Sequence, residues 1–419
     1  MVDCFSAPGL MPFEQAKSTL LTSVPKVTEV ESINIEHADK RVLAEDIYSP
    51  LNVPAHNNSA MDGYALRDDA LNKGDGVLND FELVGSAFAG APFQGELDNG
   101  QCIRIMTGAV VPNSANTVVM QENVEHITND IGAIITLKQS AKFNANIRFA
   151  GEDIQQNQVL FHRGYCLKAV DIGLLASLGL PNINVLRKLK VAIFSTGDEL
   201  KLPGEPLKPG DIYESNSQVL IAMLVRMGID VIPMGIIPDS LEAITAAFTI
   251  ADKTADAVIS SGGVSVGDAD YTKEVLDNLG QVDFWKVAMK PGKPFAFGKL
   301  SNSVFFGLPG NPVSAAVTFH QLAKPAIHVM SGTEAPEQRV IPAQLTGKVK
   351  KRPGRMDFQR GVASLNSQGQ LQVTPLSAQG SGILSSISKA NCYIVLPQEN
   401  GGYNAAEMVQ IELFDDVIG

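Results

Sequence analysis

The chain has 419 residues, well beyond the ~250–300 at which single hydrophobic cores stop growing, so a one-core protein is excluded. Hydrophobic residues make up 45% and charged residues 19%, a globular balance that excludes a disordered tail or a coiled coil. The formal net charge of −12 argues against a nucleic-acid or anionic-membrane binder, although a basic pocket within an acidic protein stays open.

Cys4, Cys102, Cys166 and Cys392 are scattered and form no CxxC pair, which argues against a zinc ribbon or a dithiol redox motif and for a reducing compartment. The opening MVDCFSAPGLMPFEQA has no positive segment before an apolar run, so no signal peptide is expected. The most apolar long stretch, residues 219–237, carries Arg226, Asp230 and Pro233 and cannot cross a bilayer as one helix. A soluble cytoplasmic protein is expected, with neither nucleic acid nor membrane as partner.

In chain order, residues 12–31 read as a helix with Phe13, Ala16, Leu20 and Leu21 apolar, ending near Pro25. From 46 to about 150, short apolar runs (FELVGSAFAG, QCIRIMTGAVVP, NTVVM, GAIITLK) alternate with Gly, Asn and Pro, the pattern of an all-β region. Residues 168–180 return to helical spacing, with Val170, Leu174, Leu175 and Leu178 on one side. In 188–330 four apolar runs, at 190–196, 229–237, 256–261 and 303–309, alternate with helical stretches at 215–228 and 240–253. That alternation predicts βαβ crossovers and a mostly parallel sheet covered on both faces, with ligands at the carboxyl ends of its strands. Beyond 331 the runs VIPAQL, QVTPL and NCYIVLP predict a small β barrel or sandwich. The expected fold class is multi-domain α/β plus β. A linking domain (1–45 and 154–187) carries an inserted β-rich domain (46–153), followed by a three-layer α/β domain (188–330) and a C-terminal β barrel (331–419).

Four loops of the α/β region carry chemistry. In ISSGGVSVGDADYTKEVL a strand runs into Ser261, Gly262, Gly263 and Gly267 before a helix, so backbone N–H groups and a helix start can face an anion. The bland alternative is a glycine turn with Asp270 capping the helix. In WKVAMKPGKP the lysines Lys286, Lys290 and Lys293 stand in a proline-stiffened loop of an acidic chain, where a phosphate or another tetrahedral oxyanion is the natural partner. In GLPGNPVSAA, Asn311 suits an N-cap and Pro312 the first helical position. Finally, acidic groups recur at strand ends: Asp198 and Glu199 in STGDEL, Asp211 and Asp239. Beside phosphate-binding loops they suit Mg²⁺, which takes carboxylates plus substrate phosphates.

The β region adds Asp62 in SAMDGYA, Thr107 in RIMTGA and Asp153 in AGEDI; by itself Asp62-Gly63 reads as a turn. The six histidines form no HExxH and no triad, and His320 and His328 are expected to pack on a helix. No Walker motif and no GxGxxG after a strand is present, which disfavours ordinary nucleotide-hydrolase or dinucleotide chemistry.

Taken in order, SAMDGYAL, RIMTGA, AGEDI, STGDEL, ISSGGVSVGDADYT, KPGKPFAFG and GLPGNPVSAAVTF resemble the MoeA/gephyrin family, in its bacterial form, over nearly the whole chain. The resemblance implies molybdopterin molybdenumtransferase activity: Mg²⁺-dependent insertion of molybdate into adenylylated molybdopterin, with release of AMP. It implies an elongated homodimer whose active site lies between the α/β domain of one subunit and the β domain of the other. Molybdopterin adenylyltransferase and apo-molybdoenzymes would be further partners.

Carried over to this chain, the resemblance assigns activity to Asp62, Thr107, Asp153, Glu199, Asp270, Lys286 and Lys290. Mg²⁺ would be held by Asp239, Asp270 and Glu199, and molybdate by Lys286 and Lys290. Substrate would lie across Ser261, Gly262, Gly263, Gly267, Lys293, Pro309, Gly310, Asn311 and Pro312, with Arg355 and Ser381 contributing from the C-terminal region. Asp268 stands where the bacterial pattern often has Glu, so a carboxylate is kept. Two rivals remain: an adenylyltransferase, which shares the 188–330 domain, and a non-catalytic scaffold of the gephyrin type.

Overall fold

The structure is a computed structural model, and it describes residues 9–71, 78–129, 132–263 and 271–419. It divides into two compact units: Met1–Ala44, Gly164–Ala169 and Asn182–Gly419 form the first, Glu45–Arg163 and Val170–Pro181 the second.

The centre of the first unit is a six-stranded sheet in the order Asp230–Ile237, Lys190–Thr196, Ala257–Ser261, Val304–Leu308, Pro294–Lys299, Gln281–Lys286. The first four strands run parallel, and they are the four apolar runs of the sequence. The last two are antiparallel, and the sequence reading missed them by taking 285–294 as a loop. Pro291, Gly292 and Pro294 look like loop signals when the strand partners are not seen.

Alternate side chains of each parallel strand enter opposite layers. Ala192, Phe194, Val258 and Phe305 pack under helix Leu241–Thr254, which buries Ile244, Ala247, Phe248 and Ala251 at helical spacing. Phe248 meets Phe194 and Phe305 edge-on, each with ring centres 5.2 Å apart. Ser240 starts that helix by accepting the Ala243 N–H. Val191, Ile193, Ile259, Phe306 and Leu308 face the other layer, where helix Asn216–Arg226 contributes Leu220, Met223 and Leu224. A second rod covers this layer: Pro312–Thr318, a widened turn Phe319–Ala323, then Lys324–Met330.

The first helix is Phe13–Ser23, shorter than 12–31; residues Val30–Asn34 instead form a strand paired with Asn182–Leu186. Phe13, Ala16 and Leu20 join the sheet's core, and Phe13 packs edge-on against Phe358. In the C-terminal region five strands close on themselves. Met356–Leu365 pairs with Leu371–Pro375, then Val340–Leu345, Met408–Leu413 and Cys392–Leu396, which returns to pair with Met356–Leu365. A barrel is therefore formed, and its interior is filled by Ala343, Val373, Ile394 and Ile411.

The second unit is built on a six-stranded sheet: Thr117–Met120, Gly63–Leu66, Gln101–Ile105, Asp80–Ala87, Gly132–Leu137, Val124–Asn129. Both faces are buried, one by Tyr64, Leu66, Cys102 and Val119, the other by Ala65, Ile103, Ile105 and Val118. Helix Ala169–Ser177 buries Leu175, with Leu178 buried just beyond its end, but leaves Val170 77% exposed, so the apolar face expected from spacing is narrower than four residues. Among the described residues no helix is long and apolar enough to cross a membrane.

Candidate functional site

A cavity of about 880 Å³ opens at the carboxyl ends of the four parallel strands. Ser195, Thr196, Gly197 and Glu199 line it at the end of Lys190–Thr196, Asp239 after Asp230–Ile237, and Ser261, Gly262 and Gly263 at the end of Ala257–Ser261. Pro309, Gly310, Asn311 and Pro312 close it after the fourth, so nine of the substrate and metal residues implied by the resemblance share this one space.

Glycine is required in the third turn. Gly262 has φ +90°, and a Cβ there would stand 2.9 Å from the Thr196 carbonyl oxygen; at Gly263, φ +68°, it would stand 2.3 Å from Thr272 Oγ1. No other residue lets the backbone approach so closely with this geometry. Two helix starts, at Asn216 and Pro312, also lie on the cavity wall and bring the positive ends of their dipoles to it. Asn311 occupies the cap position as expected, yet its side chain makes no capping hydrogen bond and is left to the cavity.

Carboxylates line the same cavity. The Asp239 carboxyl is raised above its ordinary range, first by burial and then by the negative charges of Asp198 and Glu199. Asp198 also accepts the Asp239 N–H at 3.2 Å. Glu214 is almost fully buried at the cavity wall and accepts from Ser195 Oγ at 2.9 Å and from Ser217 N and Oγ at 2.7 and 2.5 Å. The cavity wall thus carries glycine turns and helix starts suited to phosphate together with the carboxylates Glu199 and Asp239, a set suited to an anion that arrives with a cation. Among the described residues no group of three or more His, Cys, Asp or Glu side chains is gathered as a metal cage. Asp270, the third expected metal residue, lies outside the described residues together with Gly267 and Asp268.

Other expected residues stand elsewhere. Lys286 ends a strand, where it pairs with Pro294, and Lys290 belongs to a short strand beside Met356, with its ammonium 3.5 Å from the Asp357 carboxylate. Lys293 is exposed, and none of the three lysines lines the cavity, although the neighbouring Pro294 does. Lys286 and Lys290 are therefore strand-end residues, and only Lys293 sits in the connecting loop, just before Pro294–Lys299. Arg355 is also absent from the lining; Ser381 contributes its carbonyl, which accepts the Val313 N–H at 3.0 Å, and the next residue, Gly382, lines the cavity. Asp211 caps a turn by accepting the Lys208 N–H and is not a cavity residue.

In the second unit, Asp62 accepts both the N–H and the hydroxyl of Thr107 at 2.7 Å. These two donors, with Arg104 nearby, hold its carboxyl below the ordinary range, so it is presented as an ionised group. Asp153 is exposed on a turn tied by its N–H to the Val53 carbonyl.

Sequence reasoning gave no role to Glu214 and Asn216, both cavity residues. Their signal was the Glu-Ser-Asn-Ser run before an amphipathic helix, which reads as capping alone until the strand ends it touches are known. It also passed over Arg360, 1% exposed, whose guanidinium donates to Ser386 Oγ and to the Phe358 and Gly380 carbonyls beside the 380–382 turn.

Comparison with known proteins agrees with this geometry. Residues 11–179 match the MoeA N-terminal region (domain I and II), 192–329 a probable molybdopterin binding domain, and 342–414 the MoeA C-terminal region (domain IV). A molybdopterin molybdenumtransferase of Haemophilus influenzae is 46% identical over 411 residues, 98% of this chain and 100% of its own. One of Bacillus subtilis is 35% identical, over 94% of this chain and 92% of its own. A molybdopterin biosynthesis MoeA protein of Pyrococcus horikoshii superposes with a TM-score of 0.82 at 28% identity, covering 97% of this chain and 100% of that one. The chain belongs to the MoeA family of molybdopterin molybdenumtransferases.

Proposed function

We propose that this chain inserts molybdate into adenylylated molybdopterin with the help of Mg²⁺ and releases AMP, as a cytoplasmic homodimer. The observation that carries this reading is the single cavity in which glycine turns, two helix starts and the Glu199–Asp239 acid pair converge. The turns at Gly263 and Gly310 bind phosphate oxygens through backbone N–H groups, the Gly262 N–H being spent on the Leu308 carbonyl, and the helix starts stabilise their charge.

Mg²⁺ fits the carboxylates of the cavity, because burial and the neighbouring charges of Asp198 and Glu199 together raise the Asp239 carboxyl, a cost that a bound cation would offset. Glu199 and Asp239 would hold it, with Asp270 as a further ligand, and it would supply charge neutralisation at the phosphoanhydride oxygens. The protein's own contribution is to bind the nucleotide end rigidly, exclude water from the turns and orient the phosphate for departure. Lys286, at the end of Gln281–Lys286, would serve as a point charge for the tetrahedral oxyanion, with Lys290, now paired with Asp357, as a second; Asp62, kept ionised by Thr107, and Asp153 are further active residues by the family resemblance.

Purified protein given adenylylated molybdopterin, molybdate and Mg²⁺ should release AMP, with at least a tenfold loss when either molybdate or Mg²⁺ is left out, on the order of one stabilising charge. Release of AMP that is indifferent to molybdate would overturn the reading. Formation of adenylylated product from molybdopterin and ATP would favour an adenylyltransferase.

A further inference from the structure

Residues 214–217 stitch the start of helix Asn216–Arg226 to three neighbouring strand ends. Ser195, near the end of Lys190–Thr196, donates its hydroxyl to Glu214, and Glu214 caps the helix by accepting the N–H and hydroxyl of Ser217. Asn216 spends its side-chain Nδ2 on two other places: Ser261 Oγ, at the end of Ala257–Ser261, and the Gly310 carbonyl, beyond Val304–Leu308, each at 2.7 Å. A carbonyl oxygen only accepts, so the nitrogen of the carboxamide must face Gly310, and its orientation follows from that partner.

The two turns so joined are already near each other. Gly262 donates its N–H to the Leu308 carbonyl at 3.2 Å, and a Cβ on Gly310 would meet Gly262 Cα at 3.8 Å. The plain alternative is that Asn216 only secures the beginning of its helix. Its bonds argue otherwise: the helix start is capped by Glu214, and both Asn216 bonds leave the helix for the substrate turns.

We propose that Asn216 is a positioning residue for the transfer reaction, fixing the spacing of the 261–263 and 309–311 turns so that both present their N–H groups to one phosphate-bearing substrate. The proposal rests on the transferase reading above. Asn216 itself moves no proton; it acts through Ser261 and Gly310. Misplacement by about 1 Å at such a site costs roughly a hundredfold in rate.

The test compares wild type with Asn216→Ala and Asn216→Ser in AMP release from adenylylated molybdopterin, molybdate and Mg²⁺, alongside thermal unfolding and amide exchange. Asn216→Ala should lower kcat by roughly 10–100-fold with KM within about threefold, and the unfolding midpoint should move by no more than about 2 °C. Asn216→Ser, with one donor left, should fall between the two. Adding Ser261→Ala to Asn216→Ala should cost less than about threefold more, because both remove the same link. Exchange at Gly262, whose N–H is held by the Leu308 carbonyl between the two turns, should rise about tenfold in Asn216→Ala. Wild-type kcat in folded Asn216→Ala, a loss that follows the unfolding midpoint, or additive effects of the two substitutions would each overturn the proposal. If wild type forms no AMP, it is the transferase reading that fails. The exchange measurement then decides on Asn216 alone, and unchanged exchange at Gly262 removes its role.

Discussion

At Asp239 the demands of the site and of the fold oppose each other. Its carboxyl is raised because burial removes water while Asp198 and Glu199 add negative charge. A folded-state pKa above the unfolded value means that the folded chain holds this proton more tightly. The contribution of Asp239 to stability is therefore fully present below the unfolded pKa and is lost as pH rises from there through the folded pKa. Asp239→Asn removes that cost without changing shape. The variant should unfold at a slightly higher temperature at pH 7 in the absence of Mg²⁺, while AMP release falls by at least about a hundredfold, as for loss of a charge held against the transition state. A lower unfolding temperature would show that the acid pair is not strained. Glycine at 262 and 263 was readable as a turn from sequence alone. Why only glycine serves was not, because the obstructing atoms belong to Thr196 and Thr272, respectively 66 and 9 residues away.

At the scale of elements, the rod that starts at Pro312 owes its alignment to a polar knot at its widened turn. There Lys324 and His320, both nearly fully buried, meet the carboxylate of Asp415 from the last residues of the chain; His320 Nε2 lies 3.1 Å from Asp415 and 3.0 Å from Lys324 Nζ. Those two partners hold Asp415 well below the ordinary carboxylate range despite its desolvation. Widened helical turns of this kind often accompany side chains that must leave the regular ladder. Asp415→Ala leaves a buried ammonium without its counter-charge and should cost about 2 kcal/mol, less than a fully buried pair because Asp415 is partly open to water. The loss should appear as a lower urea midpoint, and pairing the change with Lys324→Met should recover part of it; a neutral Asp415→Ala would show that the knot is ornamental. Sequence placed His320 and His328 correctly on a helix, but the partner carboxylate lies 95 residues from His320 and left no local trace.

For the whole molecule, acid sensitivity follows from His328, which burial and the neighbouring Lys324 lower to about 4. A base with a depressed folded pKa is protonated first in the unfolded chain. Stability is thus intact above the unfolded pKa of about 6.5 and falls as pH drops from there toward 4, by on the order of 2 kcal/mol. His328→Leu should flatten that limb of the pH–stability curve measured by denaturant unfolding; an unchanged slope between pH 6.5 and 4 would assign the effect to other groups.

The sequence by itself determined the order of the structural regions, the four parallel strands and the glycine turns that follow them, because period-2 and period-3.6 patterns and backbone-permissive residues are local properties of the chain. The family, too, was written in short motifs in a fixed order. Tertiary structure decided which of the motif residues share a space. It closed five strands into a barrel, placed Lys286 and Lys290 on strand ends outside the cavity, and brought Glu214 and Asn216 to its wall. Those outcomes depend on strand register and on contacts between residues tens of positions apart, which no local pattern of side chains encodes.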